Sequence, residues 1–214
     1  MSEQPHHLGH RQRLRQRFLT NGAKGLHDYE LLELLLCSAI PRGDVKPLAK
    51  RLLKNFGSFA DVISADPISL QKETGMGEVS VCALKIAQAC AIELARDQVI
   101  NKPVLSSWQM LLDYCRSSMA YNGIEQFRLL YLNRKNILIA DELQQTGTID
   151  HTPVYPREVI KRALELDASA LIMVHNHPSG DTTPSKADID MTKEIQKLAR
   201  SLNISIHYHV IVSR

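Results

Sequence analysis

The chain has 214 residues, 44% of them hydrophobic and 23% charged, with a net charge of +3. That length holds one or two domains and that apolar share is ample for a real core, which excludes a natively unfolded chain; the mild charge neither requires nor forbids a polyanionic partner. The longest leucine-rich run, residues 31–40, contains Glu33 and is followed by Pro41, so it is too short and too polar to span a bilayer, and with no leader segment a cytoplasmic location is expected.

Residues 1–10 are a polar lead-in with His6, His7 and His10, expected to be disordered and to hold no organised metal site, because no carboxylate is patterned around them. Arg11, Arg13, Arg15 and Arg17 then alternate around Leu14 and Phe18. They fit either a cluster in which Arg11 and Arg13 contact nucleic-acid phosphates or a solvated amphipathic helix. Asp28 predicts the N-cap of a helix over 29–40, whose leucines are too many for one stripe and imply burial. Helices follow over 47–56, closed by Gly57, and over 58–64, before Asp66-Pro67. Residues 70–95 run Leu-Gln-Lys-Glu-Thr-Gly-Met-Gly into a long alanine-rich helix, which resembles a helix-hairpin-helix module. In such a module Gly75 and Gly77 permit the tight turn that lets backbone N–H groups face a DNA phosphate. Glu73 and Glu78 have the wrong sign for that, and Lys85 is the only cation expected near by, so packing or partner docking competes with DNA binding. Cys37, Cys82, Cys90 and Cys115 show no CxxC spacing; Cys82 and Cys90 lie in an apolar helical context, and the cysteines read as reduced core thiols.

Asn101-Lys102-Pro103 and Ser106-Ser107 mark a linker over 101–107 between a helical domain, 1–100, and a second domain, 108–214. The second begins with a helix over 108–119. Strands over 126–132 and 137–140 are joined by the turn Asn133-Arg134-Lys135-Asn136, and the sheet continues over 142–149. Pro156 starts a helix over 157–166 with Val159, Ile160, Ala163 and Leu164 inward; a buried strand over 171–174, a helix from Ser185 and a last strand over 204–212 complete the order. These elements make an α+β chain: a helical domain, then an α/β layer packed by two helices.

The chemistry concentrates at 170–188. His175 and His177, at the end of the buried strand, point the same way with Asn176 opposite, because side chains in extended backbone alternate. Ser185 and Asp188 form a capping box that places Asp188 in the first helical turn, where N–H groups and the dipole favour a charged carboxylate. Two neutral imidazoles and one carboxylate leave a fourth tetrahedral position for water, the donor set of catalytic zinc; the plainer reading is a helix cap and two turn histidines. His207 and His209 alternate on the last strand, share a face, and read as core or edge histidines.

His175-x-His177, seven residues, Ser185, two residues and Asp188 is similar to the JAMM motif H-x-H-x7-S-x2-D of the JAB/MPN zinc metallopeptidases. His-Asn-His-Pro-Ser-Gly, with Pro-Arg-Glu-Val at 156–159, resembles the bacterial RadC branch (UPF0758) of that family. The likeness covers nearly the whole chain and is strongest over 125–188. It implies a curved mixed sheet flanked by helices after a helix-hairpin-helix region, Zn2+ on His175, His177 and Asp188, an upstream glutamate as proton carrier, and the Ser185 hydroxyl as a donor to the oxyanion. Glu125 matches that glutamate, with Glu142 and Glu158 as competitors. Tyr208 stands where the family usually has an acidic residue before the histidine at 209, which admits a weakened copy. The implied activity is zinc-dependent hydrolysis of an amide or isopeptide bond in a peptide or protein substrate. The alternatives are a DNA-repair or recombination accessory protein that binds DNA through its N-terminal domain, and a metal-binding scaffold without turnover. A nucleobase deaminase is excluded by the lack of H-x-E and P-C-x-x-C.

Overall fold

The computed structural model describes residues 9–146 and 154–214; His6, His7 and the far end of the strand expected over 142–149 lie outside them. The chain forms two units, Met1–Cys90 and Ala91–Arg214. The first holds α1 (His10–Asn21), α2 (Asp28–Ala39), α3 (Lys46–Phe56), α4 (Phe59–Ser64), α5 (Pro67–Gln71) and the start of α6 (Glu78–Asp97), packed around Leu32, Leu36, Leu52, Val62, Leu70 and Leu84.

His10 is not part of a disordered lead-in: it opens α1, and its Nε2 lies 2.8 Å from Glu33 Oε1. The cap of α2 is His27, one residue before the expected Asp28. His27 is extended, its N–H donates to Glu30 Oε2 at 3.0 Å, and Asp28 enters the first turn, where a carboxylate also suits the dipole. Burial of α2 extends to Glu30 and Glu33, which the leucine count hides: Arg17 holds Glu30 at 2.9 Å. Cys82 and Cys90 are exposed rather than in the core, because α6 buries only one narrow side at Ser80, Val81 and Leu84.

The second unit contains α7 (Trp108–Met119), β1 (Gln126–Leu132), β2 (Leu138–Thr146), α8 (Pro156–Glu165), β3 (Ala170–Asn176), α9 (Lys186–Ser201) and β4 (Ser205–Val212). Its sheet has the order β2-β1-β3-β4, with β1 antiparallel to β2 and β3 and β4 parallel to β3. The chain is thus mixed α+β. Among the described residues there are four strands, because the two expected over 137–140 and 142–149 are one. Asp141 looks like a break in the apolar pattern, yet it sits in the ladder opposite Leu130. The turn before it is tied by Asn133 Oδ1, which accepts from the N–H groups of Lys135 and Ile137. Residues 99–104 also belong to this unit: Asn101 N–H donates to the Leu138 carbonyl at 2.8 Å, and Val99 and Val104 are buried.

Alternation along β3 buries both of its faces. Ala170, Ile172 and Val174 meet Leu111, Cys115 and Met119 of α7, whereas Leu171 and Met173 meet Val159, Ile160 and Ala163 of α8 and Ile195 and Ala199 of α9. Leu164, expected inward, is 51% exposed, since the buried stripe of α8 is already filled by those three residues. Among the described residues no helix is long and apolar enough to cross a membrane.

One ion pair is locked inside this layer. Arg128 Nη1 donates to both Asp141 oxygens at 2.8 Å, and the Tyr114 hydroxyl donates to the same carboxylate. Burial, reinforced by the Asp141 charge, pushes the Tyr114 phenol well above its usual range. Removing one partner leaves the other charge buried and unmatched. Asp141→Ala is therefore expected to destabilise the protein by about 3 kcal/mol and Tyr114→Phe by about 1 kcal/mol; denaturant melts that rank them in the opposite order would contradict this network.

Candidate metal centre

β3 delivers two imidazoles because the chain stays extended one residue beyond it. His177 N–H donates to the Val212 carbonyl at 3.0 Å, continuing the pairing with β4, so His175 and His177 fall on the α8 and α9 side of the sheet. The chain then turns at Pro178-Ser179-Gly180. Gly180, with φ 89°, takes the left-handed conformation that this tight return requires. The return brings the Asp181 carbonyl to within 2.5 Å of His177 Nδ1.

Ser185 caps α9 as its spacing predicts. Its Oγ accepts from Asp188 N–H at 3.1 Å, and the carboxylate in turn takes the Ser185 N–H at 2.7 Å and the hydroxyl at 2.6 Å on Oδ2. The hydroxyl proton expected to remain free for an oxyanion is thus engaged by Asp188.

Four side chains converge. His175 Nε2 is 2.7 Å from His177 Nε2 and 3.4 Å from Asp188 Oδ1; His177 Nε2 is 3.7 Å from Asp188 Oδ2 and 3.8 Å from Glu125 Oε1. Tetrahedral ligands at about 2.0–2.1 Å from zinc stand about 3.3 Å apart; the His175–Asp188 spacing matches that value, the two ring nitrogens are closer and the His177 contacts to the carboxylates wider. Ligand atoms of Glu125, His175 and His177 also lie within 4.8 Å of one another, which makes two carboxylates candidates for the third ligand. Asp188 approaches both rings with separate oxygens, and Glu125 approaches His177 with Oε1.

The protonation states suit a cation as well. Burial, with His209 adding to it, pulls His175 down to about 4. Burial likewise takes His209 to about 4 against the attraction of Asp188. Burial would raise Asp188, but the bonds from Ser185 and the nearby imidazoles outweigh it and hold the carboxyl below its usual range. At neutral pH His175 is a neutral ring and Asp188 a carboxylate, the forms that bind metal. Phe127 stacks near His175 and meets His209 edge-on, and a cavity of about 330 Å³ opens beside the rings, lined in part by Glu125, Phe127, Val154, Asp188 and Met191.

Asn176 is a functional residue that the sequence reading passed over. It is fully buried on the face opposite the histidines: its Oδ1 accepts Gln126 N–H at 2.8 Å, and its Nδ2 donates to the Asn122 and Ile124 carbonyls at 3.2 Å each. Those three bonds hold the segment that carries Glu125. The signal available was alternation: an amide forced inward between two site histidines must find partners. The competing glutamates are engaged elsewhere, Glu142 by Arg162 at 2.6 Å and Glu158 by Arg157 at 2.9 Å. His207 and His209 do not behave as an alternating pair. A register shift between Leu171 and Ile172 places an extra residue between Ile206 and Tyr208. His207 therefore meets Asn136 at 2.8 Å, whereas His209 Nε2 lies 2.7 Å from His175 Nδ1.

The residues considered for DNA contact lie in the first unit. Arg11 donates to the carbonyls of Ile40, Pro41 and Gly43, closing the end of α2, and Arg13 is exposed on α1. Gly75, with φ 92°, and Gly77 form the turn before α6. Lys85 is not the only cation near that turn: Arg51 of α3 donates to the Thr74 carbonyl and lies 3.4 Å from Glu73, while Lys85 reaches back to the Ile63 carbonyl at 3.1 Å.

Residues 105–214 match the RadC-like JAB domain family, so the sheet and its histidine-bearing edge are a JAB-type domain; residues 6–82 match the UPF0758 N-terminal family. The chain is 61% identical over 201 residues to a UPF0758 protein of Rhodobacter capsulatus, covering 94% of each. It is 57% identical over 205 residues to a UPF0758 protein of Ruegeria pomeroyi, covering 96% of this chain and 92% of the other. The chain belongs to the RadC family, UPF0758.

Two outcomes follow from the geometry. His175 and His209 stay neutral in the fold down to about 4, whereas in the unfolded chain they protonate near 6.5. Their contribution to the stability of the metal-free protein is complete above 6.5, declines as the pH falls and is lost by about 4. Thermal melts of chelator-treated protein across that window are expected to drop steadily; a flat profile would contradict neutral buried rings. Asn176→Ala leaves one N–H and two carbonyls without partners and is expected to cost about 1–3 kcal/mol. Amide exchange should rise selectively over residues 122–126, and an unchanged exchange pattern there would contradict the anchoring role of Asn176.

Proposed function

We propose that the chain is a zinc-dependent hydrolase of amide or isopeptide bonds in a peptide or protein substrate, with His175, His177 and Asp188 holding Zn2+ and Glu125 carrying protons. The observation that supports it most is the approach of two ring nitrogens to 2.7 Å with a carboxylate at 3.4 and 3.7 Å, a donor set that suits a divalent cation. A zinc ion supplies Lewis acidity that makes a hydroxide nucleophile available near neutral pH and polarises the scissile carbonyl.

The chain's own groups do the rest. Glu125, just before β1 and 3.8 Å from His177 Nε2, lines the cavity beside the rings. There its carboxylate accepts a proton from the attacking water and returns it to the nitrogen of the breaking C–N bond, a role that contributes about 10²–10⁴-fold in rate. Ser185 first orients Asp188, and can donate to the developing oxyanion only when its Oγ–H turns away from Oδ2. Val154, Phe127 and Met191 give the same cavity apolar walls for substrate atoms that flank the bond.

Emission spectroscopy on purified protein, paired with a degenerate peptide library read by mass spectrometry, tests this reading. Wild type is expected to carry one zinc per chain and to cleave; His177→Ala and Asp188→Ala should lose the metal. Glu125→Gln should keep zinc and lose turnover by about 10²–10⁴-fold. Equal zinc in wild type and His177→Ala would remove the proposed centre. Full zinc in Asp188→Asn with zinc lost in Glu125→Gln would exchange the two carboxylates' roles.

A further inference from the structure

We infer that Thr192 and His209 are positioning residues which dictate the nitrogen of His175 that is left bare for the metal. The inference rests on the zinc reading for its purpose, but the proton arrangement behind it can be followed in the protein alone. The Thr192 hydroxyl, one turn of α9 beyond Asp188, lies 2.6 Å from the Asp188 carbonyl and 2.6 Å from His209 Nδ1. A carbonyl cannot donate, so the single hydroxyl proton goes to the Asp188 carbonyl and the hydroxyl oxygen accepts from His209 Nδ1–H. His209 Nε2 then has no proton and must accept. Its neighbour at 2.7 Å is His175 Nδ1, which therefore carries the proton. His175 Nε2 is left as a lone pair.

The other ring is oriented by a different contact. His177 Nδ1 donates to the Asp181 carbonyl at 2.5 Å, which turns its Nε2 toward His175 Nε2 at 2.7 Å. The chain of bonds starts on the backbone carbonyl of one ligand, Asp188, and ends on the ring of another, His175, joining α9, β4 and β3. Hydrogen bonds of this kind to the far nitrogen of a ligand histidine fix its tautomer and ring orientation, and their loss typically weakens metal binding by about 10- to 100-fold.

Long-range proton–nitrogen spectra of histidine-labelled, metal-free protein at neutral pH read the tautomers directly, and chelator competition reads zinc affinity. In wild type, His175 and His209 are expected to be protonated at Nδ1 and bare at Nε2. Thr192→Val removes the acceptor for His209, so His209 is expected to shift its proton to Nε2 and drive His175 into the opposite tautomer, with zinc binding weaker by about 10- to 100-fold. Thr192→Ser keeps the hydroxyl and should restore both the spectrum and the affinity. A wild-type His175 protonated at Nε2 would overturn the inference, as would a folded Thr192→Val protein with unchanged tautomers and affinity. If the valine variant does not fold, the wild-type tautomers decide alone. Absence of peptide cleavage in a protein that binds zinc tightly would sink the hydrolase reading and leave this result standing.

Discussion

The hydrogen bond from His177 N–H to the Val212 carbonyl is the constraint on which the site depends. It keeps the backbone extended just past the last residue of β3, and extension makes the side chains alternate. Alternation puts His175 and His177 together on one side and Asn176 on the other. A single strand end thereby supplies two imidazoles to the centre and, from its reverse face, the amide that secures the Glu125 segment. Had the chain turned one residue earlier, the rings would diverge.

Burial then sets the chemistry of what alternation has gathered. β3 is covered on both faces, so His175 sits at 2% exposure and is held neutral by the cost of charging it there. Asp188 lies at the start of a helix, where Ser185 supplies two donors to its carboxylate and keeps it ionised in spite of partial burial. Phe127 against His175 and His209 is part of the burial that keeps those two rings neutral, while a local cap keeps the anion charged. Neutral and anionic donors side by side are what a divalent ion requires.

Much of this was legible in residue order, and the misses have physical causes. The capping box of α9, the proline at the start of α8 and the Asn133–Asn136 turn are local and were read correctly, although the equally local cap of α2 falls one residue before the expected Asp28. Grouping His175, His177 and Asp188 needed only strand and helix periodicity. Asp141 was read as a boundary because its partners, Arg128 and Tyr114, come from other elements. Cys82 and Cys90 were placed inside from an apolar neighbourhood, although one narrow side of α6 is buried. His209 was misjudged because one inserted residue in β4 breaks the count of two, and no property of the residues themselves announces that register shift.

The centre is unequal in how far its parts lie along the chain. His175 near the end of β3, His177 just beyond it and Asp188 in the first turn of α9 all fall within residues 175–188, so closing that loop requires little ordering of the polypeptide. Glu125 reaches them only after β1 has paired with β3, and the bond that secures it spans 50 residues. A nascent or partly opened chain can thus bring the two imidazoles and Asp188 together while Glu125 is still apart, so all four side chains converge only in molecules whose sheet is complete.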